Sequence, residues 1–281
     1  MKIIECPRDA MQGIKDFIPT KEKVSFINSL LKVGFDTIDF GSFVSPKAIP
    51  QLSDTSHVLA GLDLNTKTKL LAIVANIRGA EDALAYKEVN YLGFPLSLSE
   101  TFQQRNTKKS TSSAFDEVRF IQEKVLASNR RLVVYLSMGF GNPYGDPYEA
   151  DYIHQFVGKL GSFGVDIISL ADTVGMANPE SIEQQLSKLI SEFPEIEIGA
   201  HLHVTAQSAS QKIKAMLDSG CKRIDGAIGG YGGCPMATDN LTGNLNTLDL
   251  IDQIGRENLG IDQESLELSK QISDEIFTKY F

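Results

Sequence analysis

Two of the four histidines in this chain stand in one H-x-H, His201 and His203. Alternate side chains of a strand share a face, so the two imidazoles project together and lie close enough to bind one ion. Taken alone, the pair fits two packed or surface histidines equally well, because H-x-H is short and common. A charged pair, Arg8-Asp9, follows the first apolar run of the chain, Asp39 and Ser42 close the second, and Asp172 closes the sixth. Asp9 adds a carboxylate to the imidazoles, and with an amide the set becomes a mixed nitrogen and oxygen shell without thiolate. Such a shell suits a divalent ion, Mg²⁺ or Mn²⁺, more than structural zinc. The ion would act as a Lewis acid, and Arg8 would place a fixed positive charge beside the same oxygens, where an enolate could develop. Carbon–carbon cleavage or formation next to a carbonyl uses these parts.

A further candidate is Cys234, within GGYGGCPMATDNLTGN at residues 229–244. The glycine density implies a mobile or tightly turned backbone near a ligand, where a thiol is better placed as acid or base than inside a helix. Cys6 and Cys221 read as small buried hydrophobes. Asp172 also fits a capping or loop-ordering acid, Asp39 a side chain that only orders Arg8, and Asn244 the N-cap of the apolar helical run that follows it. His57 and His154 fall in helical segments and read as solvated or packed, and Tyr144 in NPYGDPY as part of a turn.

The elements that must position these groups are short apolar or β-branched runs starting at Ile3, Thr37, Leu70, Val89, Leu132, Asp166, Ile196 and Arg223. They recur at intervals of very roughly 30 residues and read as about eight strands. Between them apolar residues have helical spacing, as in Val24, Ile27, Leu30, Leu31 and Val33 before Gly34. A regular βα repeat forces parallel strands with helical crossovers, and 281 residues suit a closed (β/α)₈ TIM barrel. An open doubly wound sheet fits less well, since Pro7-Arg8-Asp9 stands where a G-x-G-x-x-G turn would follow the first strand. The stretch NTKKSTSS, 106–113, reads as a polar loop, and the residues after about Ile261 as an appended C-terminal helix. No linker divides the chain, so one domain is expected over 1–281.

Composition narrows the function further. With 42% hydrophobic and 22% charged residues the chain is of ordinary globular type, and its net charge of -9 argues against a basic nucleic-acid-binding surface. No stretch approaches the roughly 18 to 20 apolar residues of a membrane span, and the run after Met1 lacks the apolar core of a signal peptide. Three cysteines give no disulfide framework. A cytoplasmic enzyme, with neither nucleic acid nor membrane as partner, is the expectation.

Five segments together, ECPRDAMQ from Glu5, SFVSPKAIPQ from Ser42, SLADTVG from Ser169, AHLH from Ala200 and GGCPMATDNLTGN from Gly232, resemble the 3-hydroxy-3-methylglutaryl-CoA (HMG-CoA) lyase family. SFVSPK and the GGCP loop are specific to that branch, whereas R-D and H-x-H are shared with isopropylmalate and homocitrate synthases. The resemblance implies a barrel that cleaves HMG-CoA to acetyl-CoA and acetoacetate, with the metal held by Asp9, His201, His203 and Asn244. It implies that Arg8 polarises the thioester carbonyl and stabilises the enolate, and that Cys234 exchanges protons with the substrate. Asp172 and His201 become candidates for the proton of the tertiary alcohol, Asp39 replaces a glutamate that supports the arginine, and Lys15 matches a lysine near the substrate entrance. Leucine degradation is the family's usual setting and dimers are common in it, so a homodimer is expected.

Three positions depart from the family. Ala10 replaces the usual glycine after R-D, Val204 follows His203 where many relatives have aspartate, and Leu248 stands where many have glutamate. Loss of a carboxylate beside a ligand histidine can change metal affinity by about 10- to 100-fold. Two rivals remain on the residues alone: a synthase condensing an acyl-CoA with a 2-oxo acid, and a barrel that binds acyl-CoA without turning it over.

Overall fold

The computed structural model describes residues 1–233 and 242–280. All eight expected runs form strands, namely β1 (Lys2–Glu5), β2 (Thr37–Ser42), β3 (Lys69–Ile73), β4 (Val89–Ser97), β5 (Arg131–Ser137), β6 (Ile167–Asp172), β7 (Glu197–Val204) and β8 (Arg223–Gly226). Each is parallel to its neighbours, and β8 returns to pair with β1, closing a barrel. A two-residue strand that the sequence did not announce, β9 (Gly243–Asn244), runs antiparallel to β7.

Helices fill the crossovers: α1 (Pro7–Gln12), α2 (Thr20–Val33), α3 (Thr55–Ala60), α4 (Ile77–Leu84), α5 (Glu100–Thr107), α6 (Thr111–Ala127), α7 (Ala150–Ser162), α8 (Pro179–Glu192), α9 (Ala206–Asp218), α10 (Thr247–Ile254) and α11 (Gln263–Tyr280). Side-chain caps mark the starts of α4, α5, α6, α8, α9 and α10, including capping boxes at Asn178 and Thr205 that satisfy otherwise unpaired backbone N–H groups. Stretch 106–113 is not the long loop expected. Ser110 caps α6, so the polar residues are the end of one helix and the start of the next. Polarity there reflects helix termini, where hydroxyls serve as caps.

One large apolar core lies between the barrel and its helices, while inward-facing Leu71, Tyr91, Val133, Tyr135 and Ile167 form a smaller cluster in the lumen. The appended helix α11 does more than cover the outside. Phe277 packs edge-on to Phe26 of α2 and stacks on Tyr231 with ring centroids 4.2 Å apart, and Ser273 Oγ donates to Ile228 O. It therefore supports the segment that leads to the glycine-rich motif.

Glu5 ties β1 to the same region, accepting from Ile228 N (2.8 Å) and Thr247 Oγ1 (2.5 Å). Burial pushes its carboxyl up to about 8. The fold favours the protonated form, so this stabilisation is complete below the ordinary value of 4.5 and is lost as pH rises through 8. Glu5 should thus lower stability by up to about 1.4 kcal/mol per pH unit across that window. Thermal unfolding from pH 5 to 9 should show a steeper decline in the wild type than in Glu5→Gln; parallel curves would refute it.

Candidate active site

β1 leads almost directly into α1, which Pro7 starts at a position where no backbone N–H is needed. Arg8 and Asp9 therefore sit in a short helix at the barrel mouth, with Gln12 one turn beyond Arg8 on the same face. Arg8 Nε and Nη2 donate to Asp39 Oδ2 (2.9 and 2.5 Å), and Nη1 donates to Asp9 Oδ1 (2.7 Å) and Gln12 Oε1 (2.8 Å). Burial works against the guanidinium charge, but Asp39 and Asp9 outweigh it, so Arg8 stays permanently charged. Burial pushes the Asp39 carboxyl up to about 6 against the pull of Arg8. Its Oδ2 fixes the arginine, and its Oδ1 is buried without a hydrogen-bond partner among the described residues.

His201 and His203 both face the cavity from β7, as their alternation requires. His203 Nδ1 donates to Thr173 O (2.9 Å), which leaves Nε2 deprotonated, buried and without a partner among the described residues. Burial, then the neighbouring His201, hold its pKa below the usual histidine range. Parallel register puts His201 opposite Asp225 of β8, and His201 Nδ1 lies 3.3 Å from Asp225 Oδ2. Burial opposes a charge on His201, but the hydrogen bond and charge of Asp225 outweigh it and raise its pKa. A carboxylate behind an imidazole orients its other nitrogen as a ligand.

β9 brings Asn244 opposite His203. Asn244 Nδ2 donates to Asp9 Oδ2 and to Tyr231 O, both at 2.9 Å, while its Oδ1 accepts no hydrogen bond among the described residues. The cap of α10 is Asn246, whose side chain accepts from Leu248 N, so Asn244 is not spent as a cap. Burial works against the Asp9 anion, yet Arg8, both imidazoles and Asn244 hold its carboxyl well below the usual range. One donor atom from each of Asp9, His201 and His203 lies within 4.8 Å of the others. An ionised carboxylate, a neutral imidazole with an orphaned nitrogen and an open amide oxygen fit a divalent ion.

Arg8, Asp9, Gln12, Asp39, His201 and His203 line a cavity of about 410 Å³ whose wall also includes Val44, Ile49, Pro50 and Phe102. Arg105, at the end of α5, is its second guanidinium and stacks 4.6 Å over the Tyr144 ring. Tyr144 lies in a turn, as its sequence context suggests.

Not every sequence candidate joins the cluster. Ala171 and Thr173 line the cavity, but Asp172 between them turns the other way, to Lys212 Nζ (2.9 Å) and Ala177 N (3.1 Å). Asp172, a candidate for moving the proton of the tertiary alcohol, thus does not line the cavity with the others, because adjacent strand residues face opposite sides. Lys15 is exposed and does not line the cavity. Cys234 lies outside the described residues. Two residues earlier, Gly232 has a φ of +79°, and a Cβ there would stand 2.6 Å from Asp9 O and Ala10 Cα, so the backbone at Gly232 lies directly against α1. Sequence reasoning missed Gln12, Asp225, Arg105 and Lys212; only Gln12, at i+4 from Arg8, carried a local signal.

The HMGL-like family model matches residues 2–272. The chain is 35% identical over 245 residues to Bacillus subtilis hydroxymethylglutaryl-CoA lyase YngG, covering 87% of this chain and 81% of that one. It is 32% identical over 254 residues to the mitochondrial hydroxymethylglutaryl-CoA lyase of Mus musculus, covering 89% and 77%. Among solved structures, the Bacillus subtilis HMG-CoA lyase matches with TM-score 0.91 and 32% identity over 98% of this chain and 92% of that one. An HMG-CoA lyase from Acinetobacter baumannii, in complex with coenzyme A and 3-methylmalate, matches with TM-score 0.89 and 30% identity over 98% and 90%.

Proposed function

We infer the activity from one premise, that the chain belongs to the HMGL-like family and, within it, to the HMG-CoA lyases. It is a carbon–carbon lyase that cleaves HMG-CoA to acetyl-CoA and acetoacetate. The observation that carries this reading is the meeting of Asp9, His201 and His203 with Arg8 in one cavity, with Asn244 bonded to Asp9.

Asp9, His201 Nε2, His203 Nε2 and Asn244 Oδ1 would hold a divalent ion. Mg²⁺ is the proposed resident, with Mn²⁺ as an alternative. When bound, the ion supplies Lewis acidity for the substrate oxygens. Arg8, held rigid by Asp39, Asp9 and Gln12, places its charge where the thioester oxygen becomes an enolate, and a donor already fixed costs no reorganisation as the reaction proceeds. His201 has Nδ1 committed to Asp225, so Nε2 either ligates or moves a proton and cannot do both at once. That leaves Asp39 Oδ1, which has no partner among the described residues, as a further acceptor for the proton of the tertiary alcohol. Arg105 and the apolar wall suit an acyl-CoA carrying an additional negative charge. Assembly as a homodimer belongs to the same proposal, and sedimentation would read it out.

A coupled acetoacetate assay on HMG-CoA tests the activity. Turnover should be far greater than on a simple 3-hydroxyacyl-CoA that lacks the free carboxylate, because a buried polar partner would be left unpaired. Equal kcat/KM for the two, or net condensation with a 2-oxo acid, would contradict it.

Cys234 is the proposed proton carrier to the enolate, supported by the approach of Gly232 to Asp9. Serine keeps the size but is a much weaker acid, so Cys234→Ser should cost about 10²-fold or more in kcat with unchanged metal content. Thiol alkylation should inactivate the enzyme, and bound substrate should protect it. Near-normal turnover of the variant would remove the cysteine from the mechanism.

A further inference from the structure

Lys212 is 3% exposed in α9, and its ammonium reaches three acceptors at once. They are Asp172 Oδ2 (2.9 Å), His203 O (3.2 Å) and Gly175 O (3.3 Å). Three donors meet three acceptors, so the buried cation is fully satisfied. Asp172, 1% exposed, accepts from Ala177 N as well, which closes the 172–177 segment on itself. The next residue, Thr173, is fixed twice: its carbonyl accepts from His203 Nδ1 (2.9 Å), and its hydroxyl accepts from the backbone N of Met138 (2.8 Å) just after β5.

His203 is therefore held through two routes that share one ammonium. Its backbone carbonyl touches Lys212 directly, and its ring is oriented by a carbonyl whose chain neighbour, Asp172, is ion-paired to the same lysine. Val204, which follows His203, is buried and offers no carboxylate to this arrangement.

We propose that Lys212, through its buried pair with Asp172, is a positioning residue that sets the aim of His203 Nε2 in the metal site. The pair lies outside the barrel lumen and touches no reacting atom. The inference rests on the reading of Asp9, His201, His203 and Asn244 as a metal centre.

Mn²⁺ binding to the purified full-length protein, measured by calorimetry and by the loss of the free-ion paramagnetic resonance signal, tests it without any assay of turnover. Lys212→Met leaves a buried aspartate unpaired and risks unfolding, so the decisive variant is Lys212→Met/Asp172→Asn, which removes both charges and keeps both shapes. It should fold with a normal circular dichroism spectrum and bind Mn²⁺ about 10- to 100-fold more weakly, as expected when the support of a ligand histidine is lost. Affinity within about 2-fold of wild type would overturn the proposal even if thermal stability falls, since that pattern marks a purely structural pair. The pH profile of kcat in Asp172→Asn supplies a second readout. An unchanged shape supports positioning, whereas a lost limb would make Asp172 a proton carrier and overturn it. Wild-type protein that binds no Mn²⁺ would instead defeat the metal-centre reading on which the inference stands.

Discussion

Arg8→Gln should lower kcat by about 10²- to 10³-fold or more, with KM changed far less. Glutamine retains some hydrogen bonding but not the charge, and the interaction lost is one made chiefly in the transition state. The side chain is poorly suited to simple substrate capture. It is 8% exposed, and its three nitrogens are already engaged with Asp39, Asp9 and Gln12. What it offers is a charge that does not move. Removing that charge leaves Asp9 and Asp39 as two buried carboxylates without their common cation, so metal affinity should be retained or increased, and metal content is the necessary control. A variant that loses only KM would show that Arg8 binds substrate and does no more.

Exhaustive chelation should reduce turnover by about 10³-fold or more, and Mg²⁺ or Mn²⁺ should restore it. A Lewis acid contributes several kcal/mol of charge stabilisation, and about 1.4 kcal/mol is a factor of ten. The donor set makes reloading feasible without refolding. His203 Nε2 is already deprotonated, and Asp9 is ionised with its carboxylate held by Arg8 and Asn244. Full activity in protein shown to be free of metal would defeat this expectation. So would a chelated protein that loses its fold, because the ligands rest on barrel strands and α1, whose core is built without the ion.

The barrel was legible from the chain because the βα repeat is a periodic signal, and each of the eight runs is where a parallel strand forms. The motif residues were legible for a related reason. R-D lies within one helical turn and H-x-H within one strand, so local geometry alone makes each pair act together. Asp172 shows where this stops. Parallel strands are buried on both faces and read as continuous apolar runs, so IISLAD does not reveal which parity faces the lumen. Barrel closure settles it, turning Ala171 inward and Asp172 out to Lys212, a residue 40 positions away. Asp225 behind His201 and β9 beside β7 belong to the same class. Each contact joins chain segments whose meeting depends on strand register and side-chain direction, and neither is encoded in the identity or spacing of the residues that meet.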